Sequence, residues 1–117
     1  MSRVAVVAAL LALVVVPAAM AATTKRLSAT ESKGLGYSKQ TITVGHGKVT
    51  LKMKNPSRLN LEHSVSVRGR GVTKLGKVVQ PGGTSTVRAT LAKGTYTFYC
   101  HVSGHEADGM KGKLVVR

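Results

Sequence analysis

The chain of 117 residues has one cysteine, no tryptophan, and four acidic side chains against 18 lysines and arginines. Each shortage excludes something. A single cysteine rules out an internal disulfide framework, a four-cysteine zinc site and a binuclear metal centre bridged by two thiolates. Three tyrosines and one phenylalanine are too few for the stacking platform of a single-strand nucleic-acid binder. The lack of acid leaves a formal net charge of +14, which governs association rather than fold and favours anionic partners. With 19% charged and 43% hydrophobic residues, the chain is too apolar for a disordered basic tail, and its length suits one packed domain. The basic residues are scattered from Lys25 to Arg117 with no helical stripe and no recognition motif among them, so no nucleic-acid partner is expected.

What is present begins with an address. Met1-Ser2-Arg3 supplies a positive charge, Val4 to Val16 is an apolar run of 13 residues, Pro17 ends it, and Ala19-Met20-Ala21 has small residues at both positions of an A-x-A site. These features predict a secretory signal peptide over residues 1–21, cleaved before Ala22. No twin arginine precedes the run, so Sec-type export is expected, with the product periplasmic, extracellular or associated with the cell envelope. An uncleaved N-terminal anchor is the competing reading, because Val4 to Ala22 gives 19 uncharged apolar residues, near the minimum that spans a bilayer. In an exported, oxidising setting a lone cysteine is buried and inert, paired with another chain, or bound to a metal.

Residues 22–34 are polar and are expected to form a flexible N-terminal segment, leaving residues 35–117 as the folded domain. From Thr41 onward apolar residues recur with period two between Gly, Pro and Asn, which predicts strands with antiparallel neighbours. Val49, Leu51 and Met53 share one face of one strand, and Leu61, His63, Val65 and Val67 share the inner face of the next, with Ser64 and Ser66 outward. Asn55-Pro56-Ser57 and Pro81-Gly82-Gly83 mark turns. Tyr96, Phe98 and Cys100 form a buried row in the strand opened by Gly94, and Lys113 to Arg117 closes the chain as a last strand. The fold class is therefore all-β, a Greek-key sandwich or barrel of about seven to eight strands.

One loop carries the chemistry. Between two predicted strands, Cys100, His105 and Met110 follow one another at intervals of five, and His63 offers a second imidazole from a distant strand. Taken singly each residue has a plainer reading: Cys100 as a small buried hydrophobe, Met110 as core filler, His63 as a satisfied core histidine, His105 as a surface loop residue. Together a thiolate, two imidazoles and a weak thioether are the donor set of a blue-copper electron-transfer site.

These residues resemble the small blue copper proteins, the cupredoxins of the plastocyanin, rusticyanin and sulfocyanin kind. The similarity runs through Leu35-Gly36-Tyr37, Thr41-Ile42-Thr43-Val44, Lys54-Asn55-Pro56, Glu62-His63-Ser64, Gln80-Pro81-Gly82-Gly83 and Gly94 to Cys100, and ends in Gly104-His105, Gly109-Met110 and Gly112-Lys113-Leu114. It implies one copper ion bound by His63, Cys100 and His105 with Met110 as the long axial ligand. It also implies a hydrogen bond from the Ser64 position to the thiolate loop, and electron exit through the edge of His105. Ser103 departs from the pattern, standing where many relatives have Pro before Gly-His. Tyr99 stands where multicopper oxidases have a histidine, so no oxygen-reducing cluster and no enzyme activity are expected. His46 reads as a turn residue, and His101 should face away from Cys100.

The resemblance implies an exported, monomeric type 1 copper protein that carries single electrons between redox partner proteins, such as an acidic cytochrome or oxidase. An anionic cell-envelope surface is a further partner suggested by the charge. The alternative is a copper carrier or buffer with no shuttle role, since Cys, His and Met also suit Cu(I). A third reading is a basic cell-surface binding module that holds no metal.

Overall fold

Alternating apolar and polar side chains favour pleated strands that bury one face. The structure, a computed structural model, describes residues 22–117, and the predicted signal peptide over residues 1–21 lies outside them. Among the described residues there are nine strands and no helix. They are β1 (Thr23–Thr30), β2 (Gly36–Tyr37), β3 (Thr41–Val44), β4 (Gly47–Lys54), β5 (Ser66–Gly69), β6 (Val72–Lys74), β7 (Thr84–Leu91), β8 (Gly94–Tyr99) and β9 (Lys111–Val116). One sheet has the order β2-β1-β4-β7 and the other β3-β9-β8-β5-β6, giving a two-layer sandwich rather than a closed barrel.

The inner faces follow the sequence alternation. Val49, Leu51 and Met53 of β4 meet Tyr96 and Phe98 of β8 and Leu114 and Val116 of β9 in one core, all at 4% exposure or less. Each such side chain contributes about 1.5–3 kcal/mol by leaving water. Packing also dictates the size of Gly112 in β9. A Cβ there would overlap the Phe98 ring and lie 2.7 Å from the Gln40 carbonyl oxygen.

Three expectations are corrected. Residues 22–34 are not flexible along their length: Thr23–Thr30 is a full strand, paired with β4 from Thr23↔Val49 to Ser28↔Lys54. Only Leu27 and Ala29 are buried there, and two apolar positions are too few for a periodic signal to register. The neighbours are not uniformly antiparallel either, because β1 with β4 and β3 with β9 pair in parallel. Finally, His63 does not lie within a strand. The regular strand starts at Ser66, Leu61 is 43% exposed, and both Ser64 and Ser66 are fully buried. Hydrogen bonding lets the serines go inward: Ser66 Oγ accepts from Gly76 N at 3.1 Å and Ser64 Oγ from His101 N at 3.1 Å.

Gly112→Ala is expected to lower stability by about 1–3 kcal/mol, the usual cost of forcing an extra methyl into a packed core. Urea unfolding of native and variant proteins checks it.

Candidate metal centre

Cys100 follows β8 directly, so the strand fixes where its side chain points. Its backbone N–H donates to Met110 O at 3.1 Å, and Met110 N–H donates to His105 O at 3.1 Å. The three residues are thus tied together through the main chain before any ligand is considered. The loop closes as a series of turns: His105 N–H to Val102 O at 3.0 Å, Asp108 N–H to Gly104 O at 3.1 Å, Gly109 N–H to Glu106 O at 2.9 Å. Gly104 and Gly109 take φ of +82° and +106°, a region a residue with a Cβ enters only at a cost.

His63 arrives from the segment between β4 and β5. Asn55 sets that segment, donating from Nδ2 to Leu61 O at 2.9 Å and to Val79 O at 3.0 Å. His63 itself forms a two-bond bridge to Val79, its N–H donating at 3.1 Å and its carbonyl accepting at 2.9 Å. Its ring packs 5.1 Å, centroid to centroid, from that of His105, and His105 Nδ1 lies 3.6 Å from Cys100 Sγ. The donor atoms of His63, Cys100 and His105 all fall within 4.8 Å of one another. Met110 is fully buried in the same core.

The fit to a metal can be tested on a single atom. His63 is completely buried; its Nε2 stands 2.7 Å from Glu31 Oε2, while its Nδ1 has no partner at all. A neutral imidazole with the proton on Nε2 presents a lone pair at Nδ1, and a buried polar atom without a partner costs about 1–3 kcal/mol. A soft cation held between that lone pair, the thiolate and the second imidazole removes the cost. Two imidazoles, one thiolate and a buried thioether fit one type 1 copper ion.

The sulfur has its own support. Ser64 N–H donates to Cys100 Sγ at 3.3 Å, and Ser64 Oγ lies 3.8 Å from it. Tyr37 Oη donates to Ser64 O at 2.6 Å. Burial, with the charges of Cys100 and Glu106, pushes the Tyr37 phenol up, which keeps it a donor. Burial and the neighbouring His63 hold His105 below its ordinary value, against the pull of Asp108, Glu62 and Glu31. The other two histidines stand apart. His46 Nδ1 contacts Arg117 O at 3.0 Å, at the end where β3 and β9 finish. His101 Nε2 turns to Gly76 O at 2.9 Å, away from the thiol as expected.

Sequence reasoning missed the residues that hold the site in place. Glu31 lies in the segment whose polar composition predicts flexibility. Its Oε1 accepts from Asn60 N–H at 3.1 Å, and its Oε2 accepts from Leu61 N–H at 3.2 Å as well as from His63. Burial pushes this carboxyl up, but the bonds from His63, Asn60 and Leu61 outweigh it and hold Glu31 below its ordinary value. A usable signal existed, since a buried imidazole needs a partner for each nitrogen and the chain has only four carboxylates. Arg68 and Glu106 form the other clamp, a two-pronged pair joining β5 to the loop, with Arg68 also 4.3 Å from the Tyr99 ring centroid.

Comparison with known proteins gives the family and the fold. Residues 4–116 match the cupredoxin-like domain family, and the chain belongs to that family. Among solved structures it is similar to dithionite-reduced auracyanin from the photosynthetic bacterium Roseiflexus castenholzii, at 25% identity and a TM-score of 0.68, over 83% of this chain and 99% of that one. Auracyanin A, a blue copper protein of the green thermophilic bacterium Chloroflexus aurantiacus, matches at 24% identity and a TM-score of 0.67, over 83% and 100%. Auracyanin B has the same fold at 20% identity and a TM-score of 0.67, over 80% and 88%. No curated protein sequence matches the chain.

The Arg68 pair holds the Glu106 carboxyl below its ordinary 4.5. It therefore contributes stability that is present above about pH 4.5 and is lost as pH falls through the depressed folded value. Glu106→Gln should lower stability near neutral pH by about 0.2–1 kcal/mol, as for a partly exposed pair. The same variant should lose less on acidification than the native protein; thermal melts from about pH 6 to 3 compare the two slopes.

Proposed function

We propose that this protein is an exported type 1 copper electron carrier, in which His63, Cys100 and His105 would hold the ion as strong ligands and Met110 as a weak one. The observation that carries the reading is the buried His63 Nδ1, left without a partner beside a thiol and a second imidazole. Bound copper supplies one-electron exchange between its cupric and cuprous states. The chain's part is to keep the donors still, so that little has to move when the charge changes. His63 is pinned through its main chain by Val79 and through its ring by Glu31. Cys100 is pinned by Met110 O and Ser64 N–H. His105 alone of the four is part-exposed, so its ring edge is the route by which an electron leaves for a redox partner protein. No substrate is transformed.

Charge is divided between two surfaces. Arg26, Lys48, Lys52, Lys54 and Arg88 lie on the outer face of the β2-β1-β4-β7 sheet, and β1, β4 and β7 contain no acidic residue. All four carboxylates, Glu31, Glu62, Glu106 and Asp108, sit in segments around the two histidines. An anionic cell-envelope surface suits the sheet face, whereas the partner at His105 meets mixed charge. That division argues against a purely acidic partner at the exit. Export through residues 1–21 and a monomeric state complete the reading.

Adding Cu(II) to the purified protein should give an intense blue absorption that ascorbate bleaches and ferricyanide restores over repeated cycles. Cys100→Ser should abolish the colour. Tight Cu(I) retention without colour or cycling would instead support a copper carrier, and no copper binding at all would leave a surface-binding module.

A further inference from the structure

We propose that Glu31 is the positioning residue of this site, fixing the tautomer and rotation of His63 and biasing the bound ion toward its higher oxidation state. The inference rests on the copper reading and goes beyond it, because it concerns a residue outside the donor set.

The His63 side chain has 0% exposure and Glu31 13%, so no bulk water competes for Nε2. The 2.7 Å contact puts the ring proton on Nε2, where the carboxylate accepts it, and leaves a lone pair on the unpartnered Nδ1 of a ring that packs on His105 and clusters with the Cys100 thiol. The carboxylate is itself held. Asn60 N–H and Leu61 N–H occupy its two oxygens at 3.1 and 3.2 Å, and these donors precede His63 by three and two residues. With the main chain of His63 bridged to Val79 on one side and its ring bonded to Glu31 on the other, rotation about χ1 and χ2 is blocked at both ends. Of the four carboxylates, Glu31 is the one hydrogen-bonded to a histidine ring.

The electronic consequence follows from charge. A carboxylate bonded to the distal N–H makes an imidazole a stronger donor, and its negative charge favours the cupric over the cuprous ion. Glu31 should thus hold the reduction potential lower than the same donors would have without it.

Three variants test this. Glu31→Gln keeps the size and one acceptor oxygen but removes the charge; Glu31→Ala removes both. Glu62→Gln is the control, since Glu62 is exposed, contacts Gln80 at 3.2 Å rather than a ligand ring, and still acts on His105 by charge. Long-range proton–nitrogen NMR on the metal-free native protein should find His63 protonated at Nε2 with a slowly exchanging proton, and Glu31→Ala should lose that protected proton. Redox titration of the copper-loaded proteins should show the cupric-to-cuprous affinity ratio falling about 10- to 100-fold in Glu31→Gln, at about 59 mV of rising potential per tenfold. The shift in Glu62→Gln should be less than half as large. A metal-free native protein protonated at Nδ1 overturns the positioning role. A blue protein whose potential is the same with Glu31→Gln, or moves equally with Glu62→Gln, overturns the electronic role. A native protein that never turns blue fails the copper reading instead, and the NMR measurement still decides the tautomer.

Discussion

A completely buried imidazole needs something at each nitrogen, and most of what is unusual about this end of the sandwich follows from meeting that need for His63. One nitrogen faces a carboxylate and the other has no partner, in a ring that clusters with a thiol and a second imidazole. Supplying the carboxylate brings Glu31 to the segment before β5, which in turn needs β1 to run alongside β4 and deliver it there. Holding that segment without a ladder of strand bonds needs Asn55, whose side-chain amide donates to both Leu61 O and Val79 O. Even the serines flanking Val65 turn inward, each with a bonded partner, because the segment has both sides covered.

The same economy explains how a loop can hold donors still. Main-chain bonds join Cys100, His105 and Met110 to one another, and the Arg68 pair with Glu106 ties the loop back to β5. Such a frame holds the donors through the chain's own bonds, which is the property an electron carrier needs if oxidation and reduction are to occur without rearrangement. It also explains the placement of the rare acids. Two of the four are structural hydrogen-bond acceptors at the site, while the outer face of the β2-β1-β4-β7 sheet carries Arg26, Lys48, Lys52, Lys54 and Arg88 with no acid on β1, β4 or β7.

Much of this was legible from residue types alone. Period-two burial in β4 and β8 was readable because an apolar row two residues apart has only one way to hide in a sandwich. Cys100, His105 and Met110 were readable because three uncommon donors recur within eleven residues, in a loop too short to separate them. The parallel pairing of β1 with β4 was not, since pleat alternation reports which face a side chain takes but not which strand lies beside it. Nor was the inward turn of Ser64 and Ser66, because a serine's burial depends on a partner supplied from elsewhere in the fold.

The amino-acid sequence by itself determined the chemistry on offer: an all-β chain, one thiol, a thioether and two histidines that the segment before one strand and a single loop can bring together, and a surface dominated by positive charge. Tertiary structure decided what that chemistry leans on. Glu31 and His63 are 32 residues apart, and nothing in either's neighbourhood along the chain points to the other. Their meeting depends on a strand pairing whose energy comes from the whole sheet, so only the folded molecule could place a carboxylate behind the buried imidazole.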